Sequence, residues 1–130
     1  MILFARRRAV PVLTALLAAF AVGCEDLPNV PPSASFIFSP VSPIGAGSTP
    51  VTFNASGSSD SDGHIVTFTW DFGDGSGTQS ESGPVVTHVF PNRAENCIQI
   101  VYAVLLTVED DGGGHATASQ NVTVTETCPR

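Results

Sequence analysis

Beyond residue 33 the chain alternates apolar and polar side chains with a period of two. In HIVTFTWDF, Val66, Phe68, Trp70 and Phe72 fall on one face while Thr67, Thr69 and Asp71 fall on the other, the pattern of a half-buried strand. The same alternation runs through SASFIF (Ala34, Phe36, Phe38), PVTFNA (Val51, Phe53, Ala55), PVVTHVF (Val86, His88, Phe90), VYAVLLTV (Tyr102, Val104, Leu106, Val108) and HATASQNVTV (Ala116, Ala118, Val122, Val124). Between them lie SPVSPIGAGSTP, SGSSDSDG, GDGSG, PNRAEN and DDGGG, rich in the residues that make turns and loops. No segment after Cys24 has a helical period. Short strands at this spacing predict an all-β fold, an antiparallel β-sandwich of about seven strands. CIQIVYAVLLTV is apolar beyond what alternation requires, since Val101, Ala103 and Leu105 occupy the face opposite Tyr102, Val104 and Leu106. A central strand covered on both faces and an exposed contact patch both account for it; burial, or harmless scattered exposure, is the expectation.

The amino terminus follows other rules. Arg6, Arg7 and Arg8 precede AVPVLTALLAAFAVG, a run too short and wrongly flanked for a membrane span but suited to a secretory signal peptide over residues 1–23. AVGC, Ala21 to Cys24, resembles the bacterial lipobox, in which cleavage precedes a cysteine that receives a diacylglycerol. Leucine is usual where Ala21 stands, and Ala21-Val22-Gly23 also suits the ordinary secretory peptidase. Cysteine arithmetic favours the lipobox: of Cys24, Cys97 and Cys128, an odd thiol is awkward in an exported protein unless Cys24 carries lipid and the other two pair. Residues 24–33 then form a lipidated cysteine and a proline-rich tether, residues 34–125 the folded domain and residues 126–130 a tail. The expected location is the bacterial cell envelope, extracytoplasmic and lipid-anchored.

Removing the signal also changes the charge balance. The chain has no lysine, and after residue 23 only Arg93 and Arg130 stand against twelve Asp and Glu. Such a surface repels nucleic acid and anionic headgroups, so an inorganic partner should be a cation.

FNASGSSDSDGHIVTFTWDFGDG, THVF, VYAVLLTVEDDGG and a terminal NVTV together resemble the PKD domain, an immunoglobulin-like β-sandwich. The resemblance runs from about Ser33 to Val124, with the motifs in the family's order and WDFGDG the most specific. PNRAENCIQIV departs from the family, which usually passes quickly from the histidine strand through a glycine to the tyrosine of the next strand.

Asp71 and Asp74 read as strand-end and turn residues, because Asp74-Gly75 is a favoured turn dipeptide and nothing in the sequence gives either acid a partner. Asp60-Ser61-Asp62-Gly63 sets alternating carboxylates ahead of a glycine, an oxygen-rich bend of the kind calcium uses, and Asp110 is the best candidate for a third ligand. The resemblance implies the same set, Asp60, Asp62 and Asp110, with Ser33 or its neighbours completing it; the alternative is that these acids form turns and solubilise. His64 and His115 adjoin glycine turns and His88 lies on an apolar stripe, without the local ligand pair of a zinc site. No nucleophile motif such as G-x-S-x-G occurs. A hairpin centred between Gly112 and Gly113 would set Cys97 opposite Cys128, at odds with the inward stripes unless a bulge absorbs one residue. Their disulfide would add about 3.5 kcal/mol by chain entropy.

The sequence thus predicts no enzyme but a membrane-anchored extracytoplasmic module contacting an envelope or extracellular protein, with calcium as the one candidate cofactor and no nucleic acid. The alternative is a carbohydrate- or fibre-binding module acting beside a separate secreted hydrolase. Polymer binding exploits exposed aromatic platforms, so burial of Trp70 and Tyr102 would count against it.

Overall fold

The computed structural model describes residues 27–93 and 98–126. Eight strands follow one another: β1 (Ile37–Ser39), β2 (Ile44–Gly45), β3 (Val51–Asn54), β4 (Ile65–Asp71), β5 (Thr78–Glu81), β6 (Val85–His88), β7 (Gln99–Asp110) and β8 (His115–Thr125). They form a three-stranded sheet in the order β1-β3-β6 and a five-stranded sheet in the order β2-β8-β7-β4-β5. All pairings are antiparallel except that of β2 with β8. The predicted all-β sandwich is the fold, and among the described residues no helix is long and apolar enough to cross a membrane.

The inward halves of the alternating strands meet between the sheets. Phe53 on β3 is the hub, its ring 5.2 Å from Phe72, 5.7 Å from Trp70, 5.9 Å from Phe38, 6.2 Å from Phe36 and 6.4 Å from Phe90. Val104, Leu106 and Val108 of β7 and Val122 and Val124 of β8 close the core from the five-stranded side. Aromatic contacts of this kind contribute beyond their area, each about 0.5–1.5 kcal/mol.

Three expectations change. β2, only two residues long, occupies a segment read as a loop, and β5, Thr-Gln-Ser-Glu without an apolar face, is a strand where the sequence assigned none. Val66 does not share the inward face with Phe68: the register shifts between Ile65 and Thr67, so a bulge turns Val66 outward and Ile65 packs against the core instead. The β7–β8 hairpin pairs Gln99 with Thr125 through Glu109 with His115, which centres it on Gly112. Inward residues then face each other, Tyr102 on Val122 and Leu106 on Ala118, and no compensating bulge is required. Val101 and Leu105 are exposed, the scattered exposure that the sequence left open beside burial. The signal segment, Cys24, Cys97 and Cys128 lie outside the described residues.

Candidate functional site

Polar side chains gather at the two ends of the sandwich. At one end the β7–β8 turn meets the amino-terminal segment and the bend after β3. Asp110, the last residue of β7, is buried and fully bonded. Its Oδ1 accepts the N–H groups of Gly112 at 2.9 Å and Gly114 at 2.7 Å, and the Asn29 amide donates to Oδ1 at 3.2 Å and Oδ2 at 3.0 Å. Burial pushes its pKa up, but the Asn29 amide and the glycine N–H groups outweigh that and hold it below the usual carboxylate value. Asp62 accepts the Val30 N–H at 2.9 Å. Asp111 accepts the His64 N–H at 2.9 Å, with the His64 Nδ1 3.3 Å from its other oxygen, and that N–H lowers its pKa. Packing is close: a Cβ at Gly63 would collide with Asp111 Oδ1, and one at Gly112 with Asn29 Oδ1.

Asp60 differs from these neighbours. Both its carboxylate oxygens are buried and neither has a hydrogen-bond partner. It borders an open cleft of about 400 Å³ lined also by Ser56, Ser58, Ser59, His64, Phe68 and Pro84. A buried carboxylate without a donor is costly, and a cation in contact with its oxygens would remove that cost. Asp60 therefore fits the predicted calcium role. Asp110 already accepts two glycine N–H groups on Oδ1, while its Oδ2 meets only the Asn29 amide. Among the described residues no three His, Cys, Asp or Glu side chains are arranged to hold one ion. Ser33 pairs through its backbone with Ser59, at 2.7 and 3.0 Å, and it is Asn29 that reaches Asp110.

At the opposite end the WDFGDG segment leaves β4. Asp71 accepts the Gly73 N–H at 2.9 Å, a local turn bond as expected. Gly73 has φ +70°, and a Cβ there would stand 2.6 Å from the Ala103 carbonyl oxygen, so only glycine fits. Asp74 also makes its turn, accepting the Ser76 N–H at 3.0 Å and hydroxyl at 2.6 Å. It has in addition a partner that the sequence did not reveal: its Oδ2 lies 2.7 Å from His88 Nε2. The imidazole stacks on Phe72 at 3.9 Å and meets the edge of Phe90 at 4.9 Å, while Arg93 donates to the Asp74 carbonyl. Burial raises the Asp74 pKa, but the two Ser76 bonds and His88 prevail and hold it below its usual value. The sequence signalled only that a histidine on an apolar stripe needs some polar partner, not that Asp74 supplies it.

Acid, histidine and serine here do not make a nucleophilic centre. In such a centre the hydroxyl bonds to the imidazole, whereas the Ser76 hydroxyl donates to the carboxylate and His88 is sandwiched by rings. The pair fixes the turn onto β6. Trp70 and Tyr102 are 0% and 5% exposed, and burial raises the Tyr102 phenol pKa, partly offset by Arg93.

A family model described as PKD domain matches residues 29–125. The chain is 40% identical over 74 residues to Collagenase ColQ1 of Bacillus cereus, a stretch covering 57% of this chain and 7% of the collagenase. It is 40% identical over 67 residues to the pre-pro-metalloprotease PrtV of Vibrio cholerae, covering 52% of this chain and 6% of that protein. Less than a tenth of either relative is thus matched. Among solved structures, one from work on promiscuous carbohydrate-binding modules of the β-sandwich superfamily aligns with TM-score 0.67 and 35% identity, covering 78% of this chain and 37% of that one. The PKD1 domain of Vibrio cholerae PrtV aligns with TM-score 0.56 and 33% identity, covering 75% of this chain and all of that domain.

Proposed function

This chain belongs to the PKD domain family, and from that premise we propose that it is a noncatalytic contact module of the cell envelope, tethered through lipid on Cys24. Its partner is an extracellular or envelope protein, in keeping with the collagenase and metalloprotease in which similar segments occur. The observation that carries the noncatalytic reading is the closed Asp74–His88 pair, the one carboxylate–imidazole couple held inside the sandwich among the described residues. Its carboxylate is held by Ser76 and His88 and its imidazole lies against Phe72 and Phe90, so the couple is committed to holding the turn. Calcium enters this reading at Asp60, whose unsatisfied carboxylate supports a cation there, with Asp62 two positions on and Asp110, which also anchors the hairpin, as the further ligands the resemblance implies. A disulfide between Cys97 and Cys128 remains part of the proposal.

Two measurements test the reading. Metabolic labelling with an alkyne fatty acid should tag the protein and place it in the membrane fraction, and Cys24→Ser should abolish both; an untagged parent that stays soluble rejects the anchor. Calorimetry should give saturable calcium binding that Asp60→Ala removes, and no heat at millimolar calcium rejects the ion.

The second reading, a carbohydrate-binding module, draws support from the 0.67 TM-score alignment. Against it stands the burial of Trp70 and Tyr102, since polymer platforms present exposed rings. Specific retention on a glycan array would reverse this order of preference.

A further inference from the structure

The carboxylates at the turn end of the sandwich differ in what they hold. Asp62 accepts the Val30 N–H, Asp110 the Asn29 amide and two glycine N–H groups, and Asp111 the His64 N–H. Asp60 accepts nothing, although both its oxygens are buried. A Cβ at Gly63 would stand 2.8 Å from Asp60 Oδ2 and would also collide with Asp111 Oδ1, so a second carboxylate lies close to the first and sharpens the demand for positive charge. Among the described residues Arg93 is the one arginine or lysine, and it donates to the Asp74 carbonyl at the opposite end. The His64 imidazole, which lines the cleft beside Asp60, has its Nδ1 3.3 Å from Asp111 Oδ2.

We propose that the partner docks at this cleft and inserts an arginine side chain, whose guanidinium binds the two oxygens of Asp60. Chemistry selects that occupant. Both oxygens are unclaimed, which suits the forked N–H donors of a guanidinium better than the point charge of an ammonium. Its remaining donors meet the hydroxyls of Ser56 and Ser59, which line the same cleft. Phe68 and Pro84 offer apolar surface to the methylene stem and the flat guanidinium. A calcium ion needs six or more oxygens, and among the described residues no three acidic, histidine or cysteine side chains are arranged to hold one ion; a guanidinium needs two acceptors and finds them on one residue. The two cations would claim the same oxygens and so exclude each other.

Size and charge agree with a side chain as the ligand. At about 400 Å³ the cleft lies near the lower end of small-ligand sites, roughly 300–1,000 Å³. The formal charge of −7 draws a basic surface toward the chain and repels an acidic one. This inference gives the foreign partner proposed above its chemistry and rests on that reading; the binding of an arginine probe is measured without the partner and with calcium chelated, so the inference and the readings above fail separately.

Backbone-amide NMR of the full chain in detergent micelles, titrated with N-acetyl-arginine methylamide to about 50 mM, tests it. Saturable shifts should appear at Ser59, Asp60, Gly63 and His64. The citrulline analogue, with the same shape and no charge, should give no saturable shift, and the lysine analogue should bind at least about threefold more weakly. Asp60→Asn should weaken arginine binding at least about tenfold, whereas Asp71→Asn at the opposite end should leave it unchanged. Thermal melts check that each variant is folded. An unresponsive parent, citrulline or lysine binding as tightly as arginine, or arginine binding indifferent to Asp60→Asn overturns the proposal.

Discussion

Asp74 is only 4% exposed, and its charge is tolerated because each oxygen has a donor, Ser76 on one side and His88 on the other. Asp74→Ala leaves the imidazole and the Ser76 N–H unsatisfied, so it should destabilise the fold by about 2–3 kcal/mol, read from the urea midpoint. Asp74→Asn can still accept from Ser76 and should lose less. The Asp-Gly dipeptide made the turn legible in the sequence. The His88 contact was not, because fourteen positions separate the two residues and only the fold sets β6 beside the end of β4. Asn29 was less legible still. It lies 81 positions from Asp110, in a proline-rich stretch without a period.

The strands show the same division between local pattern and tertiary context. β3, β6, β7 and β8 announced themselves by alternation, since each buries one face. β2 and β5 gave no such signal, because they sit at the edges of the five-stranded sheet and owe their form to backbone pairing with β8 and β4. The bulge at Val66 was equally hidden: an apolar residue in phase with Phe68 and Trp70 reads as inward until the pairing with β7 slips. Phe53 is where strand and core depend on each other most. Truncation to alanine removes a side chain in contact with five rings and should cost about 4 kcal/mol, measured by chemical denaturation. The outward Leu105→Ala should change stability by less than about 1 kcal/mol, so the two variants separate the faces of the sheets.

For the molecule as a whole, Asp74, Asp110 and Asp111 all have folded pKa values below the ordinary 3.8. The unfolded chain then takes up protons first as the solution is acidified. The stability these groups contribute is present above about pH 5, declines as pH passes the ordinary carboxylate value, and is lost once pH falls through the lowered folded values. Urea midpoints should therefore hold steady from about pH 7 to 5 and fall between about 4 and 2, with a shallower fall in Asp74→Asn and Asp110→Asn. A midpoint that is level down to about pH 2 would contradict this linkage. The Asn29–Asp110 bond has a further consequence, in mechanics. Asn29 sits at the turn end of the β7–β8 hairpin, whereas Glu126, bonded through its N–H to Ile98, sits at the far end, about 37 Å away along β8. Tension applied between these two points runs along the strands and loads the long ladder in shear. The bonds of Asn29 to Asp110 and of Val30 to Asp62 lie at the point of attachment and yield first. A pull on the amino-terminal segment thus peels away a few residues of slack before the sandwich itself bears the load.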